Sequence, residues 1–240
     1  MAIKRSIRLL ILNPVSTDIW NDLVYKAVSE IVEESTRIDV RNLREGPPAI
    51  ETEYDKTLAE HYVVEEVVKA EKEGYDAVVI NCFDDPGLNA SREVVKIPVF
   101  GIGETSIIYS LLLGHHIAII STGRNSLVAY RRRVRELGVE NRVVYVSGID
   151  IPVLKLRESI DLTKDHLIKE IVRARDVYGA DVIVLGCGGL IGLARELSEE
   201  TGVVIIDPTL VTVKIAEATT RLGYTYSRIF LVNRLATPYT

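Results

Sequence analysis

The sequence predicts an α/β chain of two pseudo-twofold-related halves, each a mostly parallel sheet flanked by helices. Three observations carry that prediction. One phrase occurs twice, Gly-Tyr-Asp-Ala-Val-Val-Ile-Asn-Cys from Gly74 to Cys82 and Gly-Ala-Asp-Val-Ile-Val-Leu-Gly-Cys from Gly179 to Cys187. Its two cysteines, 105 residues apart (187 − 82), are the only two in the chain. The apolar run Ile7 to Asn13 has a counterpart in His115 to Ser121. The distances to the next cysteine nearly match, at 69 residues (82 − 13) and 66 residues (187 − 121). Finally, short apolar runs alternate with longer helical ones, as in sheets whose parallel strands are joined by helical crossovers.

The elements follow from this pattern. Ile7 to Asn13 reads as a buried strand and Arg37 to Arg41 as the second. Gly46-Pro47-Pro48 then makes Leu43 to Ile50 an extended loop. Asp18 to Glu34 and Asp55 to Glu73 carry helical periodicity in the first half. Asn125 to Leu137, Lys164 to Tyr178 and Ile191 to Glu200 do so in the second. After each cysteine come a glycine-containing turn and an Ala-Arg-Glu-like segment, followed by a further strand at Ile97 to Phe100 or Val203 to Ile206. Gly101-x-Gly103 lacks the third glycine of a dinucleotide fingerprint and reads as a hinge-side turn. The seams fall there and at Asp207-Pro208, so that residues 1–103 with 207–240 form one α/β unit and 104–206 the other. The last helix, Leu210 to Leu222, would return to pack on the first half. Ile229-Phe230-Leu231-Val232, in the tail, reads as an interface or edge strand, and a homo-oligomer is expected.

At 240 residues the chain is long enough for a large core. Its 47% apolar and 26% charged shares are those of a globular protein. A net charge of −5 disfavours nucleic acid as a partner. No run approaches the length of a membrane span, and Ile7 to Leu12 is too short for a signal peptide's apolar core, so a cytoplasmic location with reduced thiols is expected. The absence of Gln and a single Met, beside abundant Arg, Glu, Val and Ile, point toward a thermophilic source.

Two equivalent strands deliver two equivalent sulfurs to the carboxyl ends of their sheets, where ligands of such folds bind. Opposed thiols suit one task well: removing a proton from one face of a carbon next to a carbonyl and returning one to the other. A cysteine near its reference pKa of about 8.5 reaches either protonation state, and amides at a strand-to-helix turn favour the thiolate. The two sulfurs must stay apart and unbridged. Against this, Asp84 and Asp85 follow Cys82 and would raise its pKa if near it. The plain alternative is two buried thiols acting as small hydrophobes. Asn13 and Thr122 close equivalent strands and are candidate substrate ligands, while Ser16 or Thr17 suffices as a helix cap. The basic run Arg131, Arg132, Arg133 and Arg135 reads as a solvated face or subunit contact. His61, His115, His116 and His166 lack metal-ligand spacing and read as structural.

Asn-Pro-Val-Ser-Thr at Asn13 to Thr17, Gly-Pro-Pro-Ala-Ile-Glu-Thr-x-x-Asp from Gly46 to Asp55, Asn-Cys-Phe-Asp-Asp-Pro-Gly-Leu from Asn81 to Leu88 and Leu-Gly-Cys-Gly-Gly-Leu from Leu185 to Leu190 together resemble the aspartate/glutamate/hydantoin racemase superfamily, and within it the hydantoin racemase branch. The resemblance covers nearly the whole chain. It implies the Asp/Glu racemase-like fold and cofactor-free, metal-free racemisation by Cys82 and Cys187. It also implies a pocket of Asn13, Ser16, Ile50, Phe83, Thr122 and Gly188 around a small neutral ring, hydantoin or allantoin-like. Val15 and Ala49 stand where hydantoin racemases carry Asn and Ser. The amino-acid racemases of the superfamily read Asp-Ser-Gly, Cys-Asn-Thr and Gly-Cys-Thr-His where this chain has Asn13-Pro14-Val15, Cys82-Phe83-Asp84 and Gly186-Cys187-Gly188. The resemblance therefore implies a ring substrate rather than glutamate.

Overall fold

A computed structural model describes residues 6–227; the Ile229 to Val232 segment lies outside them. The first half holds strands β1 (Ile7–Asn13), β2 (Thr36–Asn42), β3 (Ala77–Ile80) and β4 (Val99–Gly101), with helices α1 (Asn21–Ser29), α2 (Glu53–Lys72) and α3 (Leu88–Val94) between them. Helix α4 (Ile102–Ser110) leads to β5 (Ile117–Ser121), α5 (Leu127–Glu136), β6 (Val143–Gly148), α6 (Ile160–Tyr178), β7 (Val182–Leu185), α7 (Ala194–Thr201), β8 (Val204–Ile206) and α8 (Pro208–Arg221). The strands form two four-stranded sheets, ordered β2-β1-β3-β4 and β6-β5-β7-β8. Every pairing is parallel. Adding four to each strand number turns the first order into the second, as the repeated phrase requires.

The central strands are apolar on both faces because helices cover both faces. Leu9 to Leu12, Val78 to Ile80, Ile117 to Ile120 and Val182 to Leu185 are all buried. One continuous core joins residues of both sheets. A smaller cluster packs Phe83 of the first half against Ile117, Ile119 and Tyr130 of the second. Helix α8 packs on β1, β3 and β4 of the first sheet and on α4.

The structure differs from the sequence expectations at several ends. Gly101–Gly103 is not a free turn, because α4 begins at Ile102. Gly103 is required there since a Cβ would collide with the Phe83 carbonyl oxygen in the loop after Cys82. Helix α1 is shorter than the stretch Asp18 to Glu34. Its start is delayed by the turn Asp18–Asn21, and the Ser29 hydroxyl donates to the Lys26 carbonyl near its end, a local bond that competes with helix propagation. Helix α7 starts at Ala194 rather than Ile191, because Gly192 adopts φ +83° and donates its amide to Asp207 Oδ2 at 2.7 Å. Strand β6 escaped the sequence reading because it is a half-buried edge with a mixed pattern.

Candidate active site

Identical register in the two sheets places the two thiols. The last β1–β3 pair is Leu12 with Ile80, and the last β5–β7 pair is Ile120 with Leu185. Each cysteine stands two residues beyond its pair, on the turn leaving the carboxyl end of a central strand. Both are unbridged, and both line one cavity at the meeting of the halves. Asn13, Ile50, Phe83, Thr122 and Gly188 line the same cavity. Ser16 does not reach its wall; its amide donates to the Pro47 carbonyl at 2.9 Å, which fixes the loop instead. The wall also includes Val15, Trp20, Asn81, Asp84, Tyr130 and Val153 and, among the described residues, no Lys, Arg or His.

A chain of amides fixes the first wall. Thr209 Oγ1 donates to Asn81 Oδ1 at 2.6 Å, and Asn81 Nδ2 donates to Asn13 Oδ1 at 2.7 Å. Asn13 Nδ2 then donates to Asn21 Oδ1 at 2.8 Å and Asn21 Nδ2 to Asn42 Oδ1 at 3.0 Å. All four bonds run in one sense, so each reinforces the next, and Asn13 is held with one Nδ2 hydrogen still available. On the opposite wall, Tyr130 meets Phe83 edge to face, with ring centroids 5.0 Å apart. Ser121 Oγ donates to the Gly186 carbonyl at 2.8 Å, and Tyr130 Oη lies 3.1 Å from the same oxygen.

Two arginines brace the two cysteine turns. Arg133 pairs with the Asp85 carboxylate and donates to the Asp84 carbonyl at 2.7 Å. Asp85 adopts φ +45°, a conformation costly for a non-glycine residue, and is held in it by that pair and by the amides of Gly103 and Glu104 at 2.9 and 2.7 Å. Arg157 donates to the carbonyls of Gly189 and Ile191 beyond Cys187. Within the basic run, Arg133 therefore turns inward rather than to solvent, and Arg132 pairs with Glu53 of the first half. A helical-face signal was available: Tyr130, Arg133 and Val134 recur at i, i+3 and i+4 on one face of α5. Glu51 joins the halves next to Ile50, where its carboxylate accepts the amide of the cavity-lining Val153 at 2.8 Å.

Electrostatics favour the protonated form of both thiols. Burial pushes the Cys82 thiol well up, and the Asp84 charge adds to it; an amide bond at Asp84 opposes them only in part. Burial likewise pushes Cys187 to about 11, against the Gly189 amide that donates to its sulfur at 3.3 Å. The turn amides do favour the thiolate, as expected, but desolvation outweighs them. The charge on Cys187 also raises Cys82, so the two act on one another across the cavity. Asp84 is itself raised to about 6, first by burial and against the pull of Lys56 and Arg133. Among the described residues, no group of three or more His, Cys, Asp or Glu is placed to hold a metal ion, and no helix is long and apolar enough to cross a membrane.

Residues 9–216 match the family model described as Asp/Glu/Hydantoin racemase. The hydantoin racemase of Paenarthrobacter aurescens is 35% identical over 222 residues, covering 92% of this chain and 94% of that protein. The hydantoin racemase of Rhizobium meliloti is 34% identical over 219 residues, covering 91% of each. Among solved structures, the allantoin racemase from Klebsiella pneumoniae superposes with a TM-score of 0.90 at 30% identity, over 98% of this chain and 95% of that one. With two parallel sheets opening on one shared cavity, and with relatives matched along most of its length, this chain belongs to the Asp/Glu/hydantoin racemase family. It is an isomerase of the racemase type.

Proposed function

We propose that this chain racemises 5-substituted hydantoins without a cofactor, with Cys82 and Cys187 as the acid and base at C5. The observation that carries this reading is that both thiols, delivered by equivalent strands, open on one cavity. One thiolate takes the C5 proton and the adjacent carbonyl spreads the resulting charge as an enolate. The opposite thiol then protonates the other face, leaving the enzyme with the two protonation states exchanged. Amides of the turns after each cysteine, with the remaining Nδ2 hydrogen of Asn13, are the donors for the enolate oxygen. The units 1–103 with 207–240 and 104–206 would act as two jaws on the ring.

A neutral substrate fits a wall without a cationic side chain, and an apolar C5 substituent fits Val15, Trp20, Ile50 and Val153. The similarity to an allantoin racemase supports a second reading, the same chemistry on a ureido-substituted ring. Loss of optical rotation from D- and L-5-substituted hydantoins, run beside allantoin and without added metal, tests both. Failure to detect a cysteine-dependent rate above background on either ring overturns the proposal.

A further inference from the structure

Adjacent aspartates after Cys82 have opposite fates. Asp85 is saturated by Arg133 and two amides. Asp84 is nine-tenths buried and lines the cavity, yet among the described residues its carboxylate receives one hydrogen bond, from Tyr130 Oη at 3.4 Å. Even that bond is contested, because the single phenolic hydrogen has a nearer acceptor in the Gly186 carbonyl at 3.1 Å. A buried carboxylate left this poorly satisfied is costly unless a ligand completes it.

We propose that Asp84 accepts a hydrogen bond from a ring N–H of the substrate, making it a specificity-determining residue that selects cyclic ureides and imides over rings without a free N–H. The assignment rests on the ring-binding reading above and deepens it. Among the described residues, Asp84 is the one ionisable acceptor in the wall apart from the thiols and Tyr130, while Asn13 and Asn81 offer amide hydrogens. The charged or titratable groups facing it are Lys56 and Glu53 on α2, Arg133 and Tyr130 on α5, Asp85 on its own loop, and the two thiols. With its pKa at about 6, Asp84 is ionised at neutral pH, and affinity for the N–H ring should fall as pH drops through that value.

The test is calorimetric binding of 5,5-dimethylhydantoin, which has no C5 proton to lose, and of its N1-methyl and N3-methyl forms. Wild-type protein should bind the parent ring about tenfold or more tighter than one of the methylated rings, as expected for a charge-assisted bond. In Asp84→Ala that preference should shrink below about threefold, and in Asp84→Asn the pH step near 6 should vanish. Equal binding of all three rings by the wild type, or an unchanged methylation penalty in Asp84→Ala, overturns the Asp84 assignment alone. Binding of none of the three by the wild type overturns the ring-binding reading and the assignment with it.

Discussion

Arg133, on helix α5 of the second half, donates to the main-chain carbonyl of Asp84 in the first half at 2.7 Å. One guanidinium of the second half thus holds the loop that carries Cys82 while pairing with the buried Asp85. Burial would lower the pKa of Arg133, but the two aspartates keep it raised; burial raises Asp85 in turn, against Arg133 and the amides of Gly103 and Glu104.

Replacing Arg133 by Met strands the Asp85 carboxylate in the interior at a strained φ. The unfolding free energy should drop by about 3–5 kcal/mol, the usual cost of removing one partner of a buried pair. Adding Asp85→Asn should recover part of that loss. Urea denaturation of the two variants checks it, and a drop below about 1 kcal/mol would show that the pair is not what holds the loop.

Cys82→Ser and Cys187→Ser should each lower racemisation of both enantiomers by about 10²–10⁴-fold, the range for losing a general acid or base. Each variant should still exchange the C5 hydrogen of a single enantiomer with D2O, the two variants acting on opposite hands. Proton NMR in D2O reads the exchange and polarimetry the racemisation. A variant that still racemises both hands at the wild-type rate would remove that cysteine from the chemistry.

Because burial raises both thiols, to about 11 at Cys187, the free enzyme near neutrality carries almost no thiolate. The active form has one thiolate and one thiol, so log kcat/KM should rise with a slope near one between about pH 7 and 10. Rates corrected with the doubly substituted Ser enzyme give the profile. A plateau reached below pH 8 would mean that a group outside this pair generates the thiolate.

Asp84 has a folded pKa of about 6, above its ordinary value of 3.8. Between those values the native state holds more protons than the unfolded one, so this group's contribution to stability falls as pH rises through that window. Above about pH 6 its buried charge is a full penalty, which Asp84→Asn lacks. The variant should therefore gain stability relative to wild type from pH 4 to 7 and level off beyond. Denaturation midpoints across that range check the sign.

Much of this architecture could be read from residue order because it is local. Two apolar strands ending in thiols, with matching spacing from two earlier strands, specify the parallel sheets and the sheet end where the cysteines emerge. The helices α2, α5 and α6 announced themselves by periodicity. What could not be read depends on which surfaces meet. Trp20, Tyr130 and Val153 reach the cavity from three separate connections, and nothing in their local sequence distinguishes them from ordinary core residues. Arg133 shares a helical face with Tyr130 and Val134, which turns it inward, but its partner Asp85 lies in the other half and is not legible from the run of arginines. Asp84 and Asp85 are the same residue type in the sequence; only the fold shows that the Asp85 carboxylate meets the arginine while Asp84 lines the cavity.

The turns after the two thiols are unlike, Phe-Asp on one side and Gly-Gly on the other, and so are the thiols' environments. Mirror-image molecules have equal free energy, so the forward and reverse values of kcat/KM must be equal for any catalyst that interconverts them. Unequal jaws cannot, therefore, drive a mixture toward one hand. They can only let one enantiomer turn over faster at saturation, with a KM higher by the same factor.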